Sequence, residues 1–109
     1  MNTYELKSWP QLFQAMWDGR KNHDLRRNDD RQFAEGDILY LLEFDPDLQQ
    51  YTGRRITAEI TYITSSAQPC ALYHAALNND YCILSVHVLS RENGPVKMAP
   101  LSANNSRNE

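Results

Sequence analysis

Two neighbouring segments with strand-like patterns constrain the fold of this chain more than any other feature. Residues 38–44 are apolar on nearly both faces, which is typical of a strand inside a barrel. Residues 55–63 alternate between apolar and polar side chains, so one face of this strand is predicted to be buried. The buried set is Ile56, Ala58, Ile60 and Tyr62. Residues 45–53 lie between the two segments and contain Asp-Pro and Thr-Gly pairs, which predict a hairpin loop joining antiparallel strands.

Large apolar residues recur at helical spacing between residues 9 and 18. They are Trp9, Leu12, Phe13, Met16 and Trp17. This spacing predicts an amphipathic helix whose five apolar side chains pack on a sheet, and an aromatic box for a ligand is the alternative. Pro10 suits the first turn, and Gly19 suits the residue after the last turn.

Shorter patterns predict the remaining elements. We expect strands at residues 4–7, 22–27 and 81–89, a turn at 90–95 and a short edge strand at 96–98. Residues 64–80 are ambiguous, although 71–77 suit one or two helical turns. A chain of 109 residues is the length of one domain, which we place at residues 1–99. The polar end, residues 100–109, is predicted to be disordered and dispensable for stability.

Composition narrows the classes of function. The chain has no apolar run long enough for a membrane span and no visible signal peptide, so we expect a cytoplasmic protein without a membrane partner. The two cysteines, Cys70 and Cys82, are too few for a disulfide scaffold. A net charge of −3 argues against a strongly electrostatic, non-specific DNA binder. Cations nevertheless concentrate in the first third of the chain, where a local basic patch is possible.

The segment from Gly19 to Arg26 has the highest density of polar groups. Asp24 and Arg26 are two residues apart on a predicted strand, so they share a face and can hold one another in place. Lys21 lies on the approach to this strand. The same region supplies the other candidate ligand-binding residues, which are Lys7, Arg27, Asn28, Asp29 and the more distant Arg31. The competing interpretation is a solvated strand with surface ion pairs of about 0–1 kcal/mol each.

No motif for a metal or cofactor is apparent. Cys70 and His74 are four residues apart and could share a helix face, but a metal site needs further ligands, and none lies near them in sequence. The sequence contains no Ser/His/Asp pattern and no glycine-rich phosphate loop. We therefore expect neither a metal nor a cofactor.

Gly19, Lys21, Asp24 and Arg26 together resemble the G-x-K-x-x-E-x-R motif of ASCH domains, which are relatives of the PUA RNA-binding fold. The chain is most similar to a short ASCH-like domain of unknown function that is common in bacteria and phages. Further matching motifs are Glu5-Leu6-Lys7, Trp9-Pro10, Arg26-Arg27-Asn28-Asp29, Phe33, Gly36-Asp37, Glu43-Phe44-Asp45, Tyr51-Thr52-Gly53-Arg54 and the strand from Tyr81 to Val86. The resemblance covers roughly residues 4–88. It departs at Asp24, where the motif has Glu, so the carboxylate is one methylene shorter.

The resemblance implies an α+β fold, a small PUA-like β-barrel of about five or six mostly antiparallel strands with one or two short helices. It also implies RNA or nucleotide binding in a cleft beside the motif. One ASCH branch removes the acetyl group from N4-acetylcytidine, using a lysine, a threonine and a glutamate. Lys21 matches that lysine, but Asp24 replaces the threonine, and no carboxylate occurs between Thr64 and Asn79. An aspartate is a poor substitute for a hydroxyl nucleophile.

Three hypotheses about function follow. The first is a module that binds RNA or a modified nucleoside, with Lys7, Lys21 and the arginines contacting phosphate or base edges. The second is a small hydrolase acting on a nucleoside or on RNA, with Lys21 and Asp24 as general base or acid. The third is a regulatory or protein-interaction factor of a mobile element. The two missing catalytic groups favour binding over catalysis.

Overall fold

A single curled sheet organises the chain in a computed structural model that describes residues 1–28, 31–67 and 77–94. Its elements are β1 (Thr3–Ser8), α1 (Pro10–Trp17), β2 (His23–Arg27), β3 (Ile38–Asp45), β4 (Gln50–Ser65) and β5 (Tyr81–Asn93). The strand order is β1-β3-β4-β5-β2, with β1 parallel to β3 and the other three pairings antiparallel. The small, mostly antiparallel sheet with a short helix confirms the coarse prediction.

The two edge strands of this sheet come together in space. Although β1 and β2 are at opposite ends of the strand order, the Arg26 Nη2 group on β2 donates a hydrogen bond to the Lys7 carbonyl on β1, at 2.9 Å. A flat sheet would hold these strands far apart, since neighbouring strands are about 4.8 Å from one another. The sheet is therefore curled into a half-barrel around its core. Between its edges lies a seam, which we define by β1 and β2.

Helix α1 packs on this core with only part of its apolar stripe. Phe13 and Met16 are buried, whereas Trp9 and Leu12 are 57% and 52% exposed, so the prediction that all five side chains pack on the sheet is wrong. Trp9 is the N-cap residue with extended backbone angles, and helical spacing therefore does not set its direction. Leu12 lies about 100° around the helix from Phe13, at the border of the stripe.

Strands β4 and β5 form the longest hairpin and extend beyond their predicted bounds. Asn93 pairs with Arg54, so residues 90–93 belong to a strand and the turn predicted there is wrong. The hairpin loop between β3 and β4 is likewise shorter than predicted, because β4 begins at Gln50. A register shift between Ile60 and Tyr62 interrupts the alternation, and Tyr62 is half-exposed instead of buried.

Several predictions fall on parts of the chain that lie outside the described residues. They are the edge strand at 96–98, the disordered tail at 100–109 and the helical turns within residues 71–77, of which only Leu77 is described. In the described part of the chain, no helix has the length and apolar character needed to cross a membrane.

Candidate functional site

Strand β2 buries two charged residues and exposes the apolar residue between them. Asp24 and Arg26 are 6% and 7% exposed, whereas Leu25 between them is 55% exposed. Asp24 pairs with Leu84 and Arg26 with Cys82, and both of these β5 residues belong to the core. The shared face of Asp24 and Arg26 is confirmed, and the interpretation as surface ion pairs is wrong.

The two buried side chains form a closely bonded ion pair. Arg26 Nε lies 2.6 Å from Asp24 Oδ2, and Lys21 Nζ lies 3.5 Å from Asp24 Oδ1. The Lys21 ammonium also donates to the carbonyl of His23. Both carboxylate oxygens of Asp24 thus face cations, which compensates for the loss of water around a buried charge. Removing one member of such a pair typically costs about 3–5 kcal/mol.

The ion pair forms one wall of a cleft of about 270 Å³ at the seam. We call it the ionic cleft, and its lining residues are Lys7, Ser8, Trp9, Leu12, Asp24, Leu25, Arg26, Arg27 and Tyr81. Three of them, Trp9, Leu12 and Leu25, are large apolar side chains that are more than half exposed. The cleft therefore combines a buried charged wall with an apolar rim.

The guanidinium of Arg26 has one part left for a ligand. Its Nε and Nη2 atoms bond to Asp24 and to the Lys7 carbonyl. Its Nη1 atom bonds to none of the described residues. It is also not fully buried, because Glu5 Oε1 is the only fully buried polar side-chain atom without a partner in the described part of the chain. Since Arg26 lines the ionic cleft, Nη1 is the donor that a ligand in the cleft can reach.

The structure brings together five of the seven predicted ligand-binding residues. Arg26 and Arg27 line the ionic cleft directly. Lys21 is not a lining residue, but it pairs with Asp24, which is. Lys7 also lines the cleft; its carbonyl accepts the Arg26 hydrogen bond, and its ammonium lies over the Phe44 ring, 4.2 Å from the centroid.

The other two predicted residues are not part of this cleft. Asn28 lines a separate cavity of about 500 Å³ together with Arg31 and Phe33, and its main-chain N–H donates to the carbonyl of Asp80. Asn28 is therefore not a lining residue of the ionic cleft. Asp29 lies outside the described residues.

Sequence reasoning missed the apolar rim of Trp9, Leu12 and Leu25, and it also missed Tyr81, which lines the same cleft. Trp9 and Leu12 were assigned to the core because they fit the helical period. One signal was available for Trp9, since the residue before a proline at helix position N1 lies outside the helix. The strand pattern does not predict the exposure of Leu25, because an apolar residue between charged ones ordinarily faces the core.

Cys82 pairs with Arg26 across β2 and β5, and its thiol has low reactivity. Burial, with a smaller contribution from the negative charge of Asp24, raises the pKa of the Cys82 thiol to about 11. The thiol is therefore protonated at neutral pH and is a poor nucleophile. Among the described residues no three His, Cys, Asp or Glu side chains are grouped as metal ligands; Cys70 and His74 lie outside that part of the chain.

A second polar cluster fastens the helix to the sheet. The Arg54 guanidinium forms a fork on Glu43, with Nε–Oε1 at 2.9 Å and Nη2–Oε2 at 3.1 Å, and Nη2 also donates to Gln14 on α1. Thr52 donates to the same carboxylate at 2.7 Å. Burial alone would raise the pKa of Glu43, but the hydrogen bonds from Arg54 and Thr52 outweigh it and lower that pKa. We call this set the helix clamp.

Comparison with known proteins assigns the chain to a family. No curated protein matches it in sequence. Residues 3–86, well over half of the chain, match a family described as "Domain of unknown function (DUF3850)". This match begins at β1 and ends within β5, so it includes every element that lines the ionic cleft. The chain belongs to the DUF3850 family of domains.

Proposed function

We propose that this protein is a PUA-like module of the ASCH type that binds a nucleotide or single-stranded RNA in the ionic cleft. The observation that carries the proposal is the inverted strand β2, which buries Asp24 and Arg26 and exposes Leu25 beside the exposed Trp9. Burying charged side chains and exposing an apolar one lowers stability. Departures of this kind from the usual pattern of apolar residues inside and charged residues outside concentrate at functional sites. The ASCH-like motif supports the same assignment, since two of its charged residues, Asp24 and Arg26, line the cleft and the third, Lys21, pairs with Asp24.

The apolar rim suits a nucleobase. Trp9 has no ring or cation partner among the described residues, so its indole is available for stacking. Stacking of a base on an aromatic side chain is worth about 1–3 kcal/mol and tolerates any base. Leu12 and Leu25 extend the apolar surface around the indole, which suits an unpaired base better than a duplex.

The charged wall suits the polar edge of the same ligand. Arg26 Nη1 can donate to a phosphate or to a base carbonyl, and Arg27 adds a second cation at the rim. Arg27 lies near the Tyr81 ring, with its Cζ atom 5.6 Å from the centroid. A cleft of about 270 Å³ is close to the lower limit of typical ligand pockets, so we expect it to hold one nucleotide at a time.

A binding titration tests this proposal. Uridine, cytidine and adenosine monophosphates and an eight-nucleotide oligouridine are titrated at two salt concentrations. Trp9→Ala should weaken binding by roughly 5- to 100-fold because it removes the stacking surface. Arg27→Gln should weaken binding less and reduce its dependence on salt.

Matched controls separate the cleft from the general surface. Tyr62→Ala removes an aromatic side chain of similar exposure on β4, and Arg20→Gln removes an exposed cation outside the cleft. Both should leave affinity unchanged. The proposal fails if the parent protein binds none of the probes, or if Trp9→Ala and Tyr62→Ala bind equally well.

The hydrolase hypothesis receives less support from the geometry. Lys21 and Asp24 are engaged with each other, and Asp24 also holds Arg26. A general base needs an oxygen or nitrogen that can approach the substrate proton. Incubation with N4-acetylcytidine, followed by chromatographic detection of cytidine, tests this activity, and product formation that is lost in Lys21→Ala would favour it over binding alone.

A further inference from the structure

A second depression shares two lining residues with the ionic cleft, Trp9 and Leu12, which we call the ridge. Its volume is about 480 Å³, and it runs between the start of α1 and the turn that joins β3 to β4. We call it the acidic groove. It is lined by Trp9, Pro10, Gln11, Leu12, Asp45, Pro46 and Asp47.

The charges of this groove are of one sign. Asp45 and Asp47 contribute two carboxylates, and no lysine, arginine or histidine of the described chain lines it. Asp45 Oδ1 accepts hydrogen bonds from the amides of Asp47 and Leu48, at 2.9 and 3.2 Å. Neither carboxylate forms an ion pair with a described residue, in contrast to Asp24 and Glu43.

The groove also exposes apolar surface. Trp9 and Leu12 are more than half exposed, and Leu48 in the adjoining turn is 64% exposed. Pro10 and Pro46 are rigid, so this surface loses little conformational freedom when it is covered. Exposed apolar groups rimmed by charge are typical of surfaces that bind a partner.

We infer that the acidic groove is a docking site for a basic peptide segment of a partner protein in which apolar side chains alternate with the cations. Charge complementarity selects this occupant, because arginine both stacks on an indole and pairs with carboxylates. A nucleic acid is disfavoured by the same two carboxylates, which repel phosphates. The inference does not depend on nucleotide binding in the ionic cleft, since Asp45 and Asp47 are not part of that cleft.

The probe is an acetylated and amidated heptapeptide of alternating leucine and arginine, titrated at low salt. Trp17→Phe leaves Trp9 as the only tryptophan, so its fluorescence reports on the ridge. We expect saturable binding that weakens about tenfold in Asp45→Asn/Asp47→Asn, because two exposed charge pairs are lost. Asparagine keeps the oxygen that caps the turn, so the loop should remain folded.

Two comparisons make the test decisive. Glu35→Gln/Asp80→Asn removes the same charge elsewhere on the surface and should leave peptide affinity within twofold. A peptide with glutamate in place of arginine should not bind. Equal affinity in all three proteins overturns the inference. It is also overturned if the groove variant changes only the affinity for oligouridine, because the two carboxylates would then act on RNA binding. A change in the melting temperature alone overturns it as well, because the carboxylates would then only stabilise the fold.

Discussion

The ion pair between Asp24 and Arg26 is the residue-level feature on which the site depends. Asp24→Asn leaves the Arg26 charge buried without compensation, so the free energy of unfolding should fall by about 3 kcal/mol. Asp24→Glu keeps the charge but must fit one more methylene into a buried site, so the free energy of unfolding should fall less, by about 1–2 kcal/mol. Urea denaturation measures both values.

Asp18→Asn provides the comparison for an exposed pair. Asp18 interacts with Arg20 at 3.2 Å on the surface, and its loss should leave the urea midpoint unchanged within error. If Asp24→Asn and Asp18→Asn behave alike, the charge of Asp24 is not held as tightly as the structure indicates.

Cys82 gives an independent measure of how well this region is closed. Its thiol is buried, with a pKa raised to about 11, so alkylation by iodoacetamide at pH 8 should be slow in the native protein and fast in urea. Mass spectrometry of the peptide that contains Cys82 follows the reaction. Rapid native labelling would mean that the region around Cys82, which also lines the cavity of about 500 Å³, opens readily.

At the level of single residues, the period of β2 predicted that Asp24 and Arg26 share a face but not that this face is inside. The rule that apolar residues point inward selects Leu25, and here it selects the wrong face. The Arg26 bond to the Lys7 carbonyl satisfies the inward guanidinium, and that bond joins residues 19 positions apart. A contact of this kind depends on how the sheet curls, which no local pattern contains.

At the level of elements, all six were predicted close to their observed positions, because hydrophobic period and turn residues are local signals. Their ends were less predictable. β5 continues through polar residues to Asn93 because its partner β4 is long enough to bond with them. The exposure of Trp9 was also not predicted. Trp9 fits the same helical period as the core residues although it lies just outside the helix, at the N-cap position.

The helix clamp predicts how the attachment of α1 depends on pH. The pKa of Glu43 is lowered in the folded protein, so its contribution to stability is present above its ordinary pKa, near 4.5, and is lost as the pH falls below it. Glu43→Gln should therefore lower the melting temperature at pH 7 and flatten its decline between about pH 5 and pH 3. Thermal melts at several pH values measure this.

The matched change for the clamp is Glu59→Gln, which removes a partly buried carboxylate on β4 outside the clamp. Its melting profile should keep the steep acid limb of the parent protein. A Glu43→Gln profile that runs parallel to the parent at every pH would show that Glu43 does not titrate differently in the folded and unfolded chain.

At the scale of the whole molecule, the ionic cleft and the contact that closes the curled sheet are both located at the seam. Arg26 is the only described side chain for which hydrogen bonds link both edge strands, one through Asp24 on β2 and one through Lys7 on β1. A ligand that engages Nη1 would bind beside the group that holds the half-barrel closed. Binding should therefore protect both edges of the sheet, although β1 and β2 are separated by three strands in the order.

Arg26→Lys tests this closure without removing the positive charge. Lysine can still pair with Asp24, but it lacks the planar fork that reaches Asp24 and the Lys7 carbonyl together. We expect a loss of about 1.5–3 kcal/mol in the free energy of unfolding, the usual scale for a hydrogen bond to a charged group. Amide hydrogen exchange should become faster in β1 and in β2 at once, and in β3 to a smaller extent.

Arg55→Lys is the control, because Arg55 bonds to Glu92 across the neighbouring strands β4 and β5 and does not touch the seam. Faster exchange confined to β2 in Arg26→Lys would show that the guanidinium stabilises its own strand and does not close the sheet.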